Sequence, residues 1–248
     1  MNEGAVVGVV GVDTADVERA IRESGATPLT GTAASVAAES DYLVALGESA
    51  LLALARTDPG VPVLPVAAGR GVRSVPRSDA GNAIRALLDG PVQTDRHPQW
   101  RVTVGDRTRA HVLTDLMLVT AEPAEISEYA VAADGEPVDQ FRADGVVLAT
   151  PAGSSGYAHA AGGPVVPPET DASVIVPVAP FATDTDHWVV PSAGLTVTVE
   201  RDESAVQLIA DDRVVGPVDP GDRVRVSPDG AVETAVVPAS RSCFDRDR

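Results

Sequence analysis

The chain has 248 residues, 44% of them hydrophobic and only 3% aromatic, with 19 basic against 36 acidic residues and a formal net charge of −17. An acidic surface of this strength repels phosphate backbones and anionic lipid, which argues against nucleic-acid and membrane partners. Every basic residue is arginine, and the missing lysine excludes a P-loop, a protein-kinase strand lysine and Schiff-base chemistry.

The length suits two modest domains or one large one. No apolar run approaches the roughly 18 residues of a membrane-spanning helix, and no basic region precedes the first apolar stretch. A soluble, cytoplasmic protein is expected. The acidic, lysine-free composition also resembles that of salt-loving microbes, although a GC-rich genome favouring Arg and Ala codons gives the same bias.

The first third alternates between strand and helix. "AVVGVVGV" predicts a buried strand, followed by a helix from about Thr14 with Val17, Ala20 and Ile21 on one face and Gly25 closing it. "DYLVAL" (41–46) predicts a second strand, and "SALLALAR" (49–56) a helix capped by Ser49. "VPVLPV" (61–66) is a third strand, and Ser78 is placed to cap a helix carrying Ile84, Leu87 and Leu88. Alternation of this kind implies a parallel sheet covered by helices. "PVQTDRHPQW" (91–100) reads as a polar connector.

Beyond it the helical period disappears. Gly105-Asp106 signals a hairpin between alternating runs. Further strands are predicted at 125–133, 144–149, 173–178, 194–200, 205–210, 223–227 and 231–237, separated by turns such as "ADGE", "DPGD" and "SPDG". The fold class expected is an α/β N-terminal domain (1–95), a β-sandwich-like domain (96–237) and a C-terminal tail (238–248). Cys243 is the sole cysteine, so no disulfide or cysteine zinc site is expected. His97, His111, His159 and His187 lack metal-ligand spacing and are assigned to surface or packing roles.

The chemistry concentrates in "TPAGSSGYAHAAGGP", residues 150–164, which follows the apolar run "DGVVLA". Thr150-Pro151 breaks the strand, and Gly153 and Gly156 allow backbone shapes closed to other residues. Ser154, Ser155 and Tyr157 could then offer hydroxyls to a sugar or amide. A serine-hydrolase elbow is excluded, because the G-x-S-x-G spacing fails. On the residues alone, a tight crossover between strands is an equal alternative.

These residues resemble the NAD kinase family, whose members carry T-P-T-G-S-T-A-Y and then S-A-G-G-P at the end of a strand. Thr150, Pro151, Gly153, Ser154, Tyr157, Ala161, Gly162, Gly163 and Pro164 match in order, with Ser155 in place of threonine. Asp144 and Gly145 match the family's D-G before T-P. Asp115 matches its L-N-E/D, with Thr114 replacing asparagine, and Phe181 stands where a histidine is common. The resemblance implies an NAD kinase fold: a Rossmann-like domain followed by a β-sandwich-like one. It implies an NAD pocket lined by Ser155, Gly156 and Tyr157, with Asp115 holding ribose hydroxyls and Asp144 contacting the base or carboxamide. It further implies ATP with a divalent cation such as Mg as phosphoryl donor, and a homodimer or homotetramer.

The family's G-G-D-G-T reads "LGESA" here. Leu46 replaces the first glycine, Gly47 is kept, Glu48 stands for the aspartate that acts as base, and Ser49 and Ala50 replace glycine and threonine. The next motif, G-x-N-x-G-x-L-G-F, is eroded to "PVAAGRGVRSV", with Ala67 for asparagine and Gly69 retained. Ala152 and Ala160 stand where Thr or Ser is frequent. Leu46 is expected to add bulk near the phosphates, and Arg70 or Arg73 to assist phosphate binding. Three readings follow: a divergent kinase with Glu48 as base, a weak or inactive paralogue that binds NAD(P) as a sensor or partner subunit, and a non-binding scaffold.

Overall fold

The structure is a computed structural model that describes residues 4–122, 125–201, 204–242 and 244–245; Cys243 and part of the expected tail lie outside them. The chain forms two compact units, one built from residues up to His97 together with those from Ala231 onward, the other from Pro98–Gly230. The expected second domain ran to residue 237, but the stretch from Ala231 packs with the N-terminal unit.

In that unit β1 (Val6–Gly11), β2 (Thr27–Thr30), β3 (Tyr42–Leu46) and β4 (Val63–Val66) form a parallel sheet in the order β2-β1-β3-β4. Thr234, near the end of the last strand of the chain, pairs in parallel with Val63. Four helices cover the sheet: α1 (Ala15–Glu23), α2 (Ala33–Glu39), α3 (Glu48–Ala55) and α4 (Ala80–Asp89). Val7 and Val9 of β1 share a core with Val17 and Ile21 of α1 and with Ile84 and Leu87 of α4. Each of these side chains contributes roughly 1.5–3 kcal/mol by leaving water. On the other face Gly8 lets α2 come close, since a Cβ there would overlap Val36 and Ser40.

Four local expectations are corrected in this unit. β2 and α2 were not predicted, because "TPLT" and "AASVAAE" carry too few large apolar residues to show a period. Ser49 does not cap α3, which starts at Glu48 with Gly47 at the capping position. Ser78 does not cap α4, because a short 3-10 turn, Arg77–Asp79, precedes the helix and Asp79 occupies the capping position. The polar connector is a strand, β5 (Gln93–Val104), with His97, Gln99 and Trp100 buried.

The second unit contains β6 (Arg107–Val112), β7 (Asp115–Thr120), β8 (Ser127–Ala133), β9 (Glu136–Ala149), β10 (Ser173–Pro180), β11 (Trp188–Val190), β12 (Leu195–Arg201), β13 (Val206–Ala210) and β14 (Arg213–Val218). The first part of β15 (Arg223–Val236) completes it. Neighbours run β14-β13-β7-β9-β8-β12-β15, with β10 on β9 and β11 on β10, and the pairings within the unit are antiparallel. The predicted turn "SPDG" does not separate two strands; β15 continues through it, with Gly230 at φ +81°. Pro228 and Gly230 mark a change of partner, from β12 at Val226 to β4 at Thr234.

β9 and β10 are buried on both faces where they meet. Val146, Leu148 and Ile175 enter the main core, whereas Val147, Ala149, Val174 and Val176 face a second cluster with Ala158 and Val166. That double burial explains the unbroken apolar run "DGVVLA". The second cluster is capped by the glycine-rich loop, so packing fixes the loop on the sheet.

Candidate functional site

In the second unit the loop 150–164 leaves β9 and includes one helical turn, α5 (Tyr157–Ala160). Its start is tied to the β6–β7 corner, Leu113–Asp115. The Thr150 backbone N–H donates to the Thr114 carbonyl at 2.9 Å, and the Thr150 hydroxyl lies 2.7 Å from the Leu113 carbonyl and 3.0 Å from that of Thr114. Gly153 sits directly on this corner: a Cβ there would overlap the Thr114 carbonyl. Gly145 is needed for a similar reason, because its Cβ would lie 2.5 Å from the Leu118 carbonyl oxygen of β7. At the far end Gly162 has φ +100°, and Gly163 presses against Val176 and the Ala158 carbonyl.

Ser154 does not present a hydroxyl outward. It is fully buried, lies 2.8 Å from the Pro151 carbonyl and accepts the Val166 N–H at 2.9 Å, stapling the two ends of the loop. Ser155 is half-buried, and Gly156 and Tyr157 are exposed, Tyr157 by 47%. These three remain on the open side of the loop. Ala152 is 4% exposed, so an alanine there removes no solvent-facing hydroxyl.

Asp115 is half-buried at the start of β7, and Asp144 is half-buried in β9. Thr114 donates its hydroxyl hydrogen to Asp211 Oδ1 at 2.8 Å, so toward any ligand that hydroxyl can only accept. Asp211 was missed in the sequence. It lies at the β13–β14 turn with φ +51° and accepts the N–H groups of Thr114 (2.8 Å) and Leu113 (3.1 Å). Burial pushes its carboxyl above the usual range, against the opposing pull of its bonds from Thr114 and Leu113. The only sequence signal was an Asp-Asp pair in a turn, which reads as ordinary turn chemistry.

In the N-terminal unit Gly47 lies between β3 and α3 at φ +91°, donating to the Val66 carbonyl at 2.9 Å. Its conformation explains why this glycine is present. Glu48, exposed, begins α3, and its carboxylate rests on Gly69: a Cβ on Gly69 would lie 3.6–3.7 Å from the carboxyl atoms. The loop after β4 therefore faces Glu48, as the two eroded motifs suggest. Ala67 holds φ +51°, its N–H donates to Val75 O at 2.8 Å, and Ala68 N–H donates to the Ser74 hydroxyl at 2.9 Å. Asparagine adopts that backbone shape more readily than alanine.

Leu46 does not crowd an open site. It is 6% exposed and belongs to the core of this unit. Arg73 makes an ion pair with Asp95 at 3.1 Å, whereas Arg70 is exposed on the Gly69 loop. Among the described residues no group of three or more His, Cys, Asp or Glu side chains is placed to hold a metal ion. Nor is any helix long and apolar enough to cross a membrane.

The profile of the ATP-NAD kinase C-terminal domain matches residues 113–237, half of the chain, from the Leu113 corner through the glycine-rich loop and onward. The chain belongs to the NAD kinase family. An NAD kinase of Methanocorpusculum labreanum is 32% identical over 156 residues, covering 62% of this chain and 58% of that protein. The matches to two further NAD kinases cover 32% and 57% of those proteins, so the chain aligns with between a third and six-tenths of the length of these curated relatives. The solved NAD kinase of Archaeoglobus fulgidus in complex with ATP superposes with TM-score 0.72 at 22% identity, covering 93% of this chain and 92% of that one. Yeast NADH kinase complexed with NADH gives TM-score 0.77 at 18% identity, with 96% and 85% covered. The NAD kinase fold, an α/β unit and a β-rich unit, is thereby shown.

Proposed function

We propose that this chain phosphorylates the adenosine-ribose 2′-hydroxyl of NAD, with ATP as donor, to give NADP. The observation that carries the reading is the family match over residues 113–237, which contains the anchored loop and Asp115. In this reading Ser155, Gly156 and Tyr157 line the dinucleotide pocket. Thr114 and Asp115 accept hydrogen bonds from ribose hydroxyls, which are strong when the acceptor is charged. Asp144 contacts the base or carboxamide.

Glu48 takes the proton of the 2′-hydroxyl as that oxygen attacks the γ-phosphorus. The new O–P bond forms while the bond to the β–γ bridging oxygen breaks, and ADP leaves with the electron pair. Gly47 and Gly69 keep backbone near Glu48 free of side chains, and Arg70 carries positive charge on the same loop. A divalent cation carried by ATP would neutralise charge on the phosphates. Magnesium would suit that role, because it is usually held by one or two carboxylates and draws its other oxygens from phosphate and water. We assign the chain to the cytoplasm and to a homodimer or homotetramer on the same family grounds.

A second reading, an NAD(P)-binding paralogue with little turnover, is favoured by Ala50, which is buried where the family motif has threonine. Incubation with NAD and Mg–ATP in molar KCl separates the two. The kinase reading expects NADP from the wild type and a loss of ~10²–10⁴-fold in Glu48→Ala, the usual effect of removing a general base. Turnover unchanged by Glu48→Ala contradicts the assignment of the base, and NAD binding without turnover supports the second reading.

A further inference from the structure

We propose that Asp211 is a positioning residue for dinucleotide binding, acting by holding the Leu113–Thr114–Asp115 corner that presents Asp115. The proposal rests on the reading of Asp115 as the ribose-binding carboxylate. The corner is gripped from two directions. Thr150 supplies donors to its carbonyls, at 2.7 Å to Leu113 and 2.9 Å to Thr114. Asp211 receives its N–H groups and the Thr114 hydroxyl, three donors on Oδ1 at 2.8–3.1 Å. The Asp211 backbone N–H closes the ring by donating to the Asp115 carbonyl at 2.8 Å.

A half-buried carboxylate is a costly way to hold a turn, because an ionised group loses hydration that hydrogen bonds must replace. A turn at φ +51° is served as well by asparagine or glycine, without a charge. The carboxylate differs in strength: a charged acceptor makes bonds about twice as strong as a neutral one. Together these contacts fix the backbone of Asp115 on both sides, so that its side chain starts from one position.

Asp211→Ala removes the side-chain acceptor of the Leu113 and Thr114 N–H groups. Asp211→Asn keeps the shape, tolerates the backbone conformation and retains an acceptor at Oδ1. Calorimetric titrations with NAD and separately with ATP, on both variants and on Val197→Ala as a destabilised core control, test the role. The expected result is NAD affinity weakened about tenfold or more in Asp211→Ala, recovered only in part in Asp211→Asn, whose neutral oxygen is the weaker acceptor, with ATP affinity unchanged in both and NAD affinity unchanged in Val197→Ala. NAD affinity unaltered in Asp211→Ala, equal losses of NAD and ATP affinity, or an equal loss in Val197→Ala would each overturn the role. Wild-type protein that binds no NAD would overturn the functional reading together with it, which distinguishes the two failures.

Discussion

Replacing Gly153 with alanine probes the join between the loop and the corner. The added Cβ would overlap the Thr114 carbonyl and lie 3.0 Å from the Thr114 Cα. Ordinary carbon contacts sit at ~3.5–4.0 Å, and the obstructing atoms are backbone, so no side-chain rotation relieves the clash. The backbone of the corner or of the loop has to move by about 1 Å. Overpacking of this kind costs about 3 kcal/mol, which lowers the melting temperature by about 6–12 °C in a chain of this size. Displacing Asp115 by a similar distance is expected to reduce turnover by on the order of a hundredfold. Gly156→Ala is the stability control, since its Cβ would meet only the Gly153 carbonyl at 3.3 Å. Differential scanning calorimetry reads the first effect and NADP formation the second. If Gly153→Ala melts with Gly156→Ala and retains wild-type turnover, the corner is not held as described.

Salt should stabilise the protein: the Debye length falls from about 10 Å at 0.1 M to about 3 Å at 1 M, so repulsion among 17 net negative charges is screened and the melting temperature should climb with KCl. A flat profile contradicts the halophilic reading. Asp229 is held at about 2, below its ordinary 3.8, first by the hydrogen bond from Arg101 and then by that from His111. Its folded pKa is depressed, so its stabilisation is present above about 3.8 and is lost as pH falls through about 2. The stability difference between wild type and Asp229→Asn should therefore shrink over that window in acid unfolding curves, and a constant difference refutes the pairing.

Much of the site was legible because glycine marks places where backbone meets backbone. Gly145, Gly153 and Gly163 each abut a carbonyl or a packed side chain, and such constraints survive in sequence as fixed letters at fixed spacing. Long-range hydrogen bonding leaves no such trace. Asp211 lies nearly a hundred residues from the corner it grips, and Ser154 appears as an exposed hydroxyl until its buried partners are known. The element errors have a common cause as well. Polar and proline letters signalled a connector at 91–100 and a turn at 227–230, but β5 and β15 tolerate them; in β5 Pro98 is half-buried, while in β15 Ser227 and Pro228 face solvent. The opposite error fell at Leu46, where comparison of letters suggested crowding of the phosphates but the side chain points into the core.

The most direct measurement couples the reaction to a dehydrogenase that accepts only the 2′-phosphorylated dinucleotide. With wild-type protein, NAD and Mg–ATP in molar KCl, the account predicts steady dehydrogenase signal that requires all three components. ATP consumption without signal, or signal no greater than that of Glu48→Ala, would contradict it.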